Sequence, residues 1–285
     1  EITGKLAVIH VDDFENERAR FEYYVYLDYI NGGDTYRLYF EQEPNAISGA
    51  EIFVRGKRLD YDIAVRDYEI SEEEGGIAGG ENPNRGEQRT VVVLVNFADN
   101  RVEPFTREQV QNLILNENNP ISSNSYIREV SYDRAFLMGE VYGWYNLNIN
   151  GEACSTNQIR NLAVEAVDPE VNFVDNMRLI IIFPYENGCF FSGLADIGTQ
   201  FVSTDEGAVR LSKSWINGIS NFQRVNSVIV HELGHNFGVF HANDLECGNS
   251  SNFGCESYRY GDYFDVMGIS PGPHYSAFHK EKIGW

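Results

Sequence analysis

One stretch decides how the rest of this chain is interpreted: His231-Glu232-Leu233-Gly234-His235-Asn236-Phe237-Gly238-Val239-Phe240-His241. His231 and His235 are four residues apart, so in a helix they lie on one face and their imidazoles can converge on one metal ion. Glu232 follows the first histidine, where its carboxylate projects beside the metal and can accept a proton from water. Gly238 favours a helix end, because glycine adopts a left-handed cap without a Cβ penalty. The chain can then turn, and His241 can return as a third ligand.

Three neutral imidazoles leave the fourth position of a tetrahedral ion open for water, which is typical of a catalytic rather than a structural zinc. The stretch therefore predicts one Zn²⁺ held by the three histidines, with Glu232 as the general base. Two other interpretations remain open at this point. The segment could be an ordinary amphipathic helix with solvated histidines, or a closed structural zinc site with Cys247 as the fourth ligand.

A second motif follows in the order and spacing of a known clan. The stretch from His231 to His241 matches the long zinc signature of the metzincin metallopeptidases, and Tyr263-Phe264-Asp265-Val266-Met267-Gly268 stands where that clan has its Met-turn. With Tyr260-Gly261-Asp262 before it and Lys282-Ile283-Gly284-Trp285 at the end, the chain resembles the gametolysin-type family. The resemblance is clearest from about Thr90 to Trp285.

The resemblance implies a zinc endopeptidase of α+β class, built from a twisted mixed sheet and an active-site helix. It places Met267 beneath the metal without binding it. It also implies extracellular protein or peptide substrates, such as cell-wall or matrix glycoproteins. Tyr263 or Tyr275 is a candidate for a hydrogen bond to the oxyanion.

Composition limits the partners and the location. The chain has 285 residues, 42% of them hydrophobic, and a formal net charge of -21. Such a charge argues against nucleic acid or an anionic membrane surface as a partner. No run of 18 apolar residues predicts a membrane span. We expect a secreted monomer; Ca²⁺ is left open as a second ion, although no D-x-D-x-D-G loop is present.

The four cysteines indicate two disulfides in a secreted enzyme, with free buried thiols as the alternative. Three connectivities are open. Cys247 with Cys255 would close a short loop rich in Gly, Asn and Ser, and Cys154 with Cys189 would then follow. We expect that pairing.

Turn signals and composition divide the chain into three parts. Residues 1–70 contain about five short strands and predict a small all-β domain, a barrel or sandwich, with an OB-like barrel preferred. Residues 71–89 are polar and Gly-rich, which predicts a linker and a processing site. Residues 90–285 alternate buried apolar strands with helices and form the predicted peptidase domain. The first domain could be a propeptide or a retained accessory domain.

A propeptide of this clan often blocks zinc with a cysteine, but no cysteine precedes Cys154. A carboxylate could do the same, and Asp60 or Asp62 is the candidate. His10 is expected to be unrelated to the site.

Gly193-Leu194-Ala195 is predicted to be an exposed edge strand along the cleft, to which an extended peptide substrate could add as an antiparallel strand. An ordinary surface hairpin is the alternative. For the whole chain, the other hypotheses are a catalytically silent peptide-binding metzincin, a latent zymogen, and a different zinc hydrolase such as an amidase acting on cell-wall peptides.

Overall fold

The structure is a computed structural model that describes residues 1–14, 16, 18–27, 33–71, 82–218, 222–247, 255–268 and 274–285, with the backbone alone at 222–224. Within these ranges no helix combines the length and the apolar character needed to cross a membrane. Thirteen strands and five α-helices are described in them.

The strands and helices follow one another along the chain in this order: β1 (Ile2–Asp13), β2 (Arg18–Tyr26), β3 (Thr35–Tyr39), β4 (Glu51–Leu59), β5 (Asp62–Ser71), β6 (Gly86–Phe97), α1 (Arg107–Ile114), α2 (Ser123–Val130), β7 (Ala135–Leu147), α3 (Thr156–Val167), β8 (Arg178–Phe183), β9 (Gly193–Asp196), β10 (Gln200–Thr204), β11 (Gly207–Asn217), α4 (Phe222–Asn236), β12 (Asp244–Cys247), β13 (Cys255–Tyr258) and α5 (Ala277–Ile283).

A large mixed sheet joins most of these strands, in the order β2-β3-β5-β4-β1-β9-β11-β8-β6-β7, with β10 paired to β11. The pairs of β6 with β7, β6 with β8, and β8 with β11 are parallel, whereas β9 is antiparallel to both of its neighbours. Helices and a mixed sheet in one chain agree with the predicted α+β class.

The sequence of β6 explains why it lies at the centre of the sheet. Val92 and Leu94 point to a core shared with α1, α2 and α4, while Val91, Val93 and Val95 point to a second core that includes residues of α3. Alternate side chains of a strand face opposite sides of a sheet, so a continuous apolar run is buried only when both sides are covered. The predicted buried strand is therefore confirmed, although it begins at Gly86, inside the predicted linker.

The first five strands pair in a closed ring: β1 with β2, β2 with β3, β3 with β5, β5 with β4, and β4 with β1. Their apolar side chains enclose a third core. The division into a separate small domain remains a prediction, because β1 also belongs to the large sheet. Residues 2–5 of β1 pair with β4, and residues 9–12 pair with β9. Most of the predicted linker, residues 72–81, lies outside the described residues.

Both disulfides have the predicted connectivity. Cys154 is bonded to Cys189, and Cys247 is bonded to Cys255 across the β12–β13 hairpin. Since the sulfur of Cys247 is occupied, it is not a fourth metal ligand, and that interpretation of the histidine stretch is wrong.

Candidate metal centre

Helix α4 carries the first two histidines and is anchored by its apolar face. Val225, Val228, Ile229 and Leu233 are buried in the core beneath the sheet, as the helical spacing predicts. The end of the helix is fixed by Asn236, whose amide nitrogen donates to the carbonyls of Asp196 and Lys213, both at 3.0 Å. These bonds attach the helix directly to β9 and β11.

The chain turns at Gly238 and brings back the third histidine. Helix α4 ends at Asn236, and Gly238 has a φ of +93°, a conformation that favours glycine. The ring centroids of His231, His235 and His241 are then 5.0, 5.2 and 5.1 Å apart. The structure thus brings together the three predicted ligands as a nearly equilateral triangle.

Backbone carbonyls determine which nitrogen of the two helical histidines faces the centre of this triangle. His231 Nδ1 donates to the carbonyl of Val266 at 2.7 Å, and His235 Nδ1 donates to the carbonyl of Val239 at 2.9 Å. Because a carbonyl only accepts, both Nδ1 atoms carry the proton and both Nε2 atoms present lone pairs. His231 Nε2 lies 3.2 Å from His241 Nε2.

Burial keeps the imidazoles of His235 and His241 uncharged. It lowers the pKa of His235 to about 3, with the neighbouring His10 as the next cause. Burial and His10 likewise lower the pKa of His241. A neutral imidazole is the form that binds a metal.

Met267 is fully buried, and its place beneath the metal remains a prediction. A Cβ on Gly234 would come within 2.3 Å of its sulfur, so the glycine between the two helical histidines allows the methionine to pack against the helix. The turn is held by Asp265. Its Oδ1 accepts from the Met267 backbone at 2.8 Å, and its Oδ2 accepts from the Ser276 backbone at 2.8 Å and from His279 Nδ1 at 2.7 Å.

Glu232 is fully buried, and neither of its carboxylate oxygens has a hydrogen-bond partner among the described residues. Burial, followed by the charge of Asp12, raises the pKa of Glu232 well above its ordinary value. A Cβ on Gly193 would come within 2.0 Å of Glu232 Oε1, so β9 passes directly over this carboxylate.

An N-terminal residue that the sequence analysis missed fills the space between the histidines. Asp12 Oδ1 lies 2.8 Å from His241 Nε2 and 3.6 Å from His231 Nε2, and Asp12 Oδ2 lies 3.4 Å from His235 Nε2. Burial alone would raise the pKa of Asp12, but His10, His241 and His231 together lower it well below the ordinary value. Asp12 is therefore a buried carboxylate at the centre of the site.

His10 is also part of the site, so the expectation that it is unrelated is wrong. Its Nδ1 donates to Asp12 Oδ2 at 2.8 Å, and its ring stacks on His235 with 4.5 Å between centroids. On the other side of Asp12, the hydroxyl of Tyr260 donates to Oδ1. Burial and Asp12 raise the pKa of Tyr260, which keeps its hydroxyl protonated as a donor. One signal was present in the sequence: His10 and Asp12 are two residues apart, so they share one face of the strand that continues the apolar run of residues 6–9.

Other candidates lie elsewhere. Asp60 and Asp62 are exposed at the turn between β4 and β5, and the carboxylate that lies among the histidines is that of Asp12. The Tyr275 hydroxyl donates to the carbonyl of Val230 at 2.6 Å, and Tyr263 is 65% exposed. Neither tyrosine points at the histidines in the way that Tyr260 does.

Gly193, Leu194 and Ala195 do not form an exposed edge. They are buried in β9, where β11 pairs along one side and β1 along the other. The edge prediction fails for a physical reason: the first strand of the same chain already occupies the free side of β9.

The donor set fits zinc. Imidazole nitrogens and a carboxylate are ligands that zinc accepts, and the Nε2 atoms of His231 and His241 lie 3.2 Å apart, close enough to share one ion. Ligand atoms of His10, Asp12, His235 and His241 lie within 4.8 Å of one another, as do those of Asp12, His231 and Glu232. Among the described residues, neither of these groups resembles the oxygen-rich sites that calcium prefers.

Comparison with known proteins identifies a peptidase family. The family model described as Gametolysin peptidase M11 matches residues 89–285. Among solved structures, the crystal structure of metalloproteinase-II from Bacteroides fragilis is similar at 13% sequence identity and a TM-score of 0.39. That match covers 72% of this chain and 53% of the other, so this chain spans about half of that structure. None of the curated proteins matches the chain.

Proposed function

Because the chain belongs to the gametolysin peptidase M11 family, we propose that it is a zinc-dependent endopeptidase. His231, His235 and His241 hold the ion. The observation that carries this proposal is the convergence of three imidazoles beside the buried carboxylate of Glu232, which has no hydrogen-bond partner among the described residues. Zinc bound there supplies a Lewis acid that polarises the scissile carbonyl and makes water acidic enough to react near neutral pH.

Glu232 acts as the general base. It accepts the proton of the attacking water and delivers it to the nitrogen of the leaving amine. Its burial supports this role, because a carboxylate with a raised pKa holds a transferred proton more readily than an exposed one. The carbonyls of Val266 and Val239 keep two histidines oriented, and Met267 supports them from below.

The two disulfides support an oxidising, extracellular location. Cell-wall or matrix glycoproteins are the proposed substrates, as the family resemblance implies, and the enzyme acts as a monomer.

Zinc content and cleavage of casein test this proposal together. Casein is incubated with the intact chain and with the chain after limited proteolysis, with and without a chelator. We expect one zinc per chain, and chelator-sensitive cleavage in at least one of the two forms. Glu232→Gln should keep the zinc and lose nearly all cleavage, because an amide cannot accept the proton.

Glu165→Gln is the matched control, since it makes the same change at an exposed position of α3. It should cleave at the wild-type rate. Normal cleavage by Glu232→Gln would contradict the assigned base. Bound zinc without cleavage in either form would favour a catalytically silent peptide-binding protein.

A further inference from the structure

We propose that a groove along β4 and β5 is a binding site for an acidic oligosaccharide, a short sugar chain that carries carboxylate groups. The groove has a volume of about 680 Å³, which is a size typical of small-ligand sites. This inference goes beyond the proposed function and does not depend on it. Cations and apolar side chains line the groove together: Phe40, Arg55, Lys57, Val65, Arg66 and Tyr68.

An irregularity in the pairing of β4 with β5 shapes this groove. The register of the two strands shifts after Arg55, so Arg66 of β5 has no residue opposite it in β4. Gly56 allows the strands to stay close at the shift, because a Cβ there would lie 2.2 Å from the carbonyl oxygen of Ala64. Such bulges bend a strand and redirect its side chains. Arg55 and Arg66 both line the groove at this shift.

The apolar part of the groove suits the apolar face of a sugar ring. Phe40 and Tyr68 pack edge-on with 5.0 Å between ring centroids, and Tyr68 is 42% exposed. Val65 lines the same groove and is half-buried. The C–H groups of a sugar ring can pack on this aromatic and aliphatic surface, while its hydroxyls remain available for polar contacts.

The three cations of the groove are available to a ligand. Arg55 forms an ion pair with Glu1 at 2.9 Å, and both side chains are exposed. Arg66 pairs with its neighbour Asp67 at 3.0 Å, and both of these side chains are exposed as well. Exposed ion pairs contribute little to stability, so a ligand can replace them at low cost. Lys57 is exposed and forms no ion pair within the described part of the chain.

Polar groups of both kinds favour a sugar over an acidic peptide. Besides the three cations, the carboxylate of Glu41 and the amide of Gln42 line the groove. The carboxylates of an acidic sugar can pair with the cations, and its hydroxyls can donate to Glu41 and Gln42. A peptide of acidic residues would bring carboxylates but no hydroxyls to Glu41. A long polyanion such as nucleic acid is repelled by the net charge of -21.

The groove lies far from the metal centre. Ile2 of β1 pairs with Val54, next to the groove, whereas Asp12 at the other end of β1 lies at the histidines. Ten residues of extended strand span about 33 Å. Binding in the groove and cleavage at the metal centre can therefore be measured separately.

Calorimetric titration of the intact chain with tetragalacturonate tests this inference, with a chelator present so that no probe is cleaved. The double variant Lys57→Gln/Arg66→Gln removes two exposed cations of the groove. Arg101→Gln/Arg134→Gln is the matched control, since it makes the same change of charge at two exposed positions outside the groove. We expect tetragalacturonate to bind the groove variant at least ~10-fold more weakly than the wild type, because charge-assisted hydrogen bonds are lost. The control should bind it as the wild type does.

Two further probes define the ligand. Maltotetraose has the hydroxyls without the carboxylates, and tetraglutamate has the carboxylates without the hydroxyls; both should bind more weakly than tetragalacturonate. Equal or tighter binding of either probe would overturn the assignment to an acidic sugar. So would a wild-type chain that does not bind tetragalacturonate, or equal affinities of the groove variant and the control. Casein cleavage without the chelator reports the peptidase function alone: a chain that binds tetragalacturonate but cleaves no casein loses that function and keeps this site.

Discussion

Replacing Asp265 by asparagine should loosen the turn that carries Met267. The carboxylate accepts three hydrogen bonds, one on Oδ1 and two on Oδ2. An amide can keep the bond from Met267, but its NH₂ group then faces the Ser276 backbone donor and His279. Hydrogen bonds to charged groups contribute about 1.5–3 kcal/mol each, and a buried donor without a partner costs about as much. We therefore expect Asp265→Asn to lower the free energy of unfolding by roughly 2–4 kcal/mol at neutral pH.

The same contacts give this loss a pH dependence. Burial alone would raise the pKa of Asp265, but the bonds from His279, Ser276 and Met267 lower it below the ordinary value. A carboxyl whose folded pKa is depressed contributes its stability above the unfolded pKa of about 3.9 and loses it as pH falls through the folded value. The difference in the free energy of unfolding between wild type and Asp265→Asn should thus be largest at neutral pH and should shrink at pH values below about 4.

Urea unfolding in the presence of a chelator measures this difference, because metal release then contributes nothing to the result. Asp133→Asn is a suitable control, because the side chain of Asp133 is 78% exposed and forms a surface ion pair with Arg128. A loss below about 0.5 kcal/mol for Asp265→Asn would refute the reasoning, as would a loss that stays constant from neutral pH to pH values below about 4.

Three further predictions concern the supports of the site. Replacing the cysteines of Cys154–Cys189 by serine should lower the free energy of unfolding by about 4 kcal/mol, and the same change at Cys247–Cys255 by about 2.5 kcal/mol. The first loss is larger because its disulfide spans 35 residues and the second spans 8. Thermal unfolding of the two variants measures the order, and equal losses of stability would contradict it. Gly234→Ala should destabilise the protein by about 1–3 kcal/mol, since its Cβ would collide with Met267, and should also weaken zinc binding in a competition assay. The Cβ added by Gly238→Ala would meet no atom within 4 Å, so this variant should lose only about 1–2 kcal/mol of stability, the cost of a left-handed backbone for alanine. A larger loss of stability for Gly238→Ala than for Gly234→Ala would contradict the packing described for Gly234.

The metal centre was largely predictable because its parts are local in sequence. The i, i+4 spacing of His231 and His235 places both rings on one helix face, and Gly238 determines where the chain turns back. The apolar stripe of α4 and the buried runs of β6 and β8 follow from periodicity in the same way. The spacing of the cysteines was sufficient to favour the pairing that the structure has.

The position of β1 beside β9 and the histidines could not be predicted from the sequence in the same way. Asp12 and Gly193 are 181 residues apart in the sequence, and no local rule gives the register of two such strands. The exposed edge expected for β9 depended on the absence of a partner, which only the whole fold determines. For the same reason the sequence analysis named Asp60 or Asp62 as the candidate carboxylate, whereas Asp12 of β1 lies at the histidines.

Zinc content and casein cleavage of Glu232→Gln, measured beside the wild type and Glu165→Gln, test the assignment of the metal centre most directly. Glu232→Gln should bind one zinc per chain and cleave almost no casein, whereas Glu165→Gln should match the wild type. Cleavage by Glu232→Gln at the wild-type rate would contradict the assigned base.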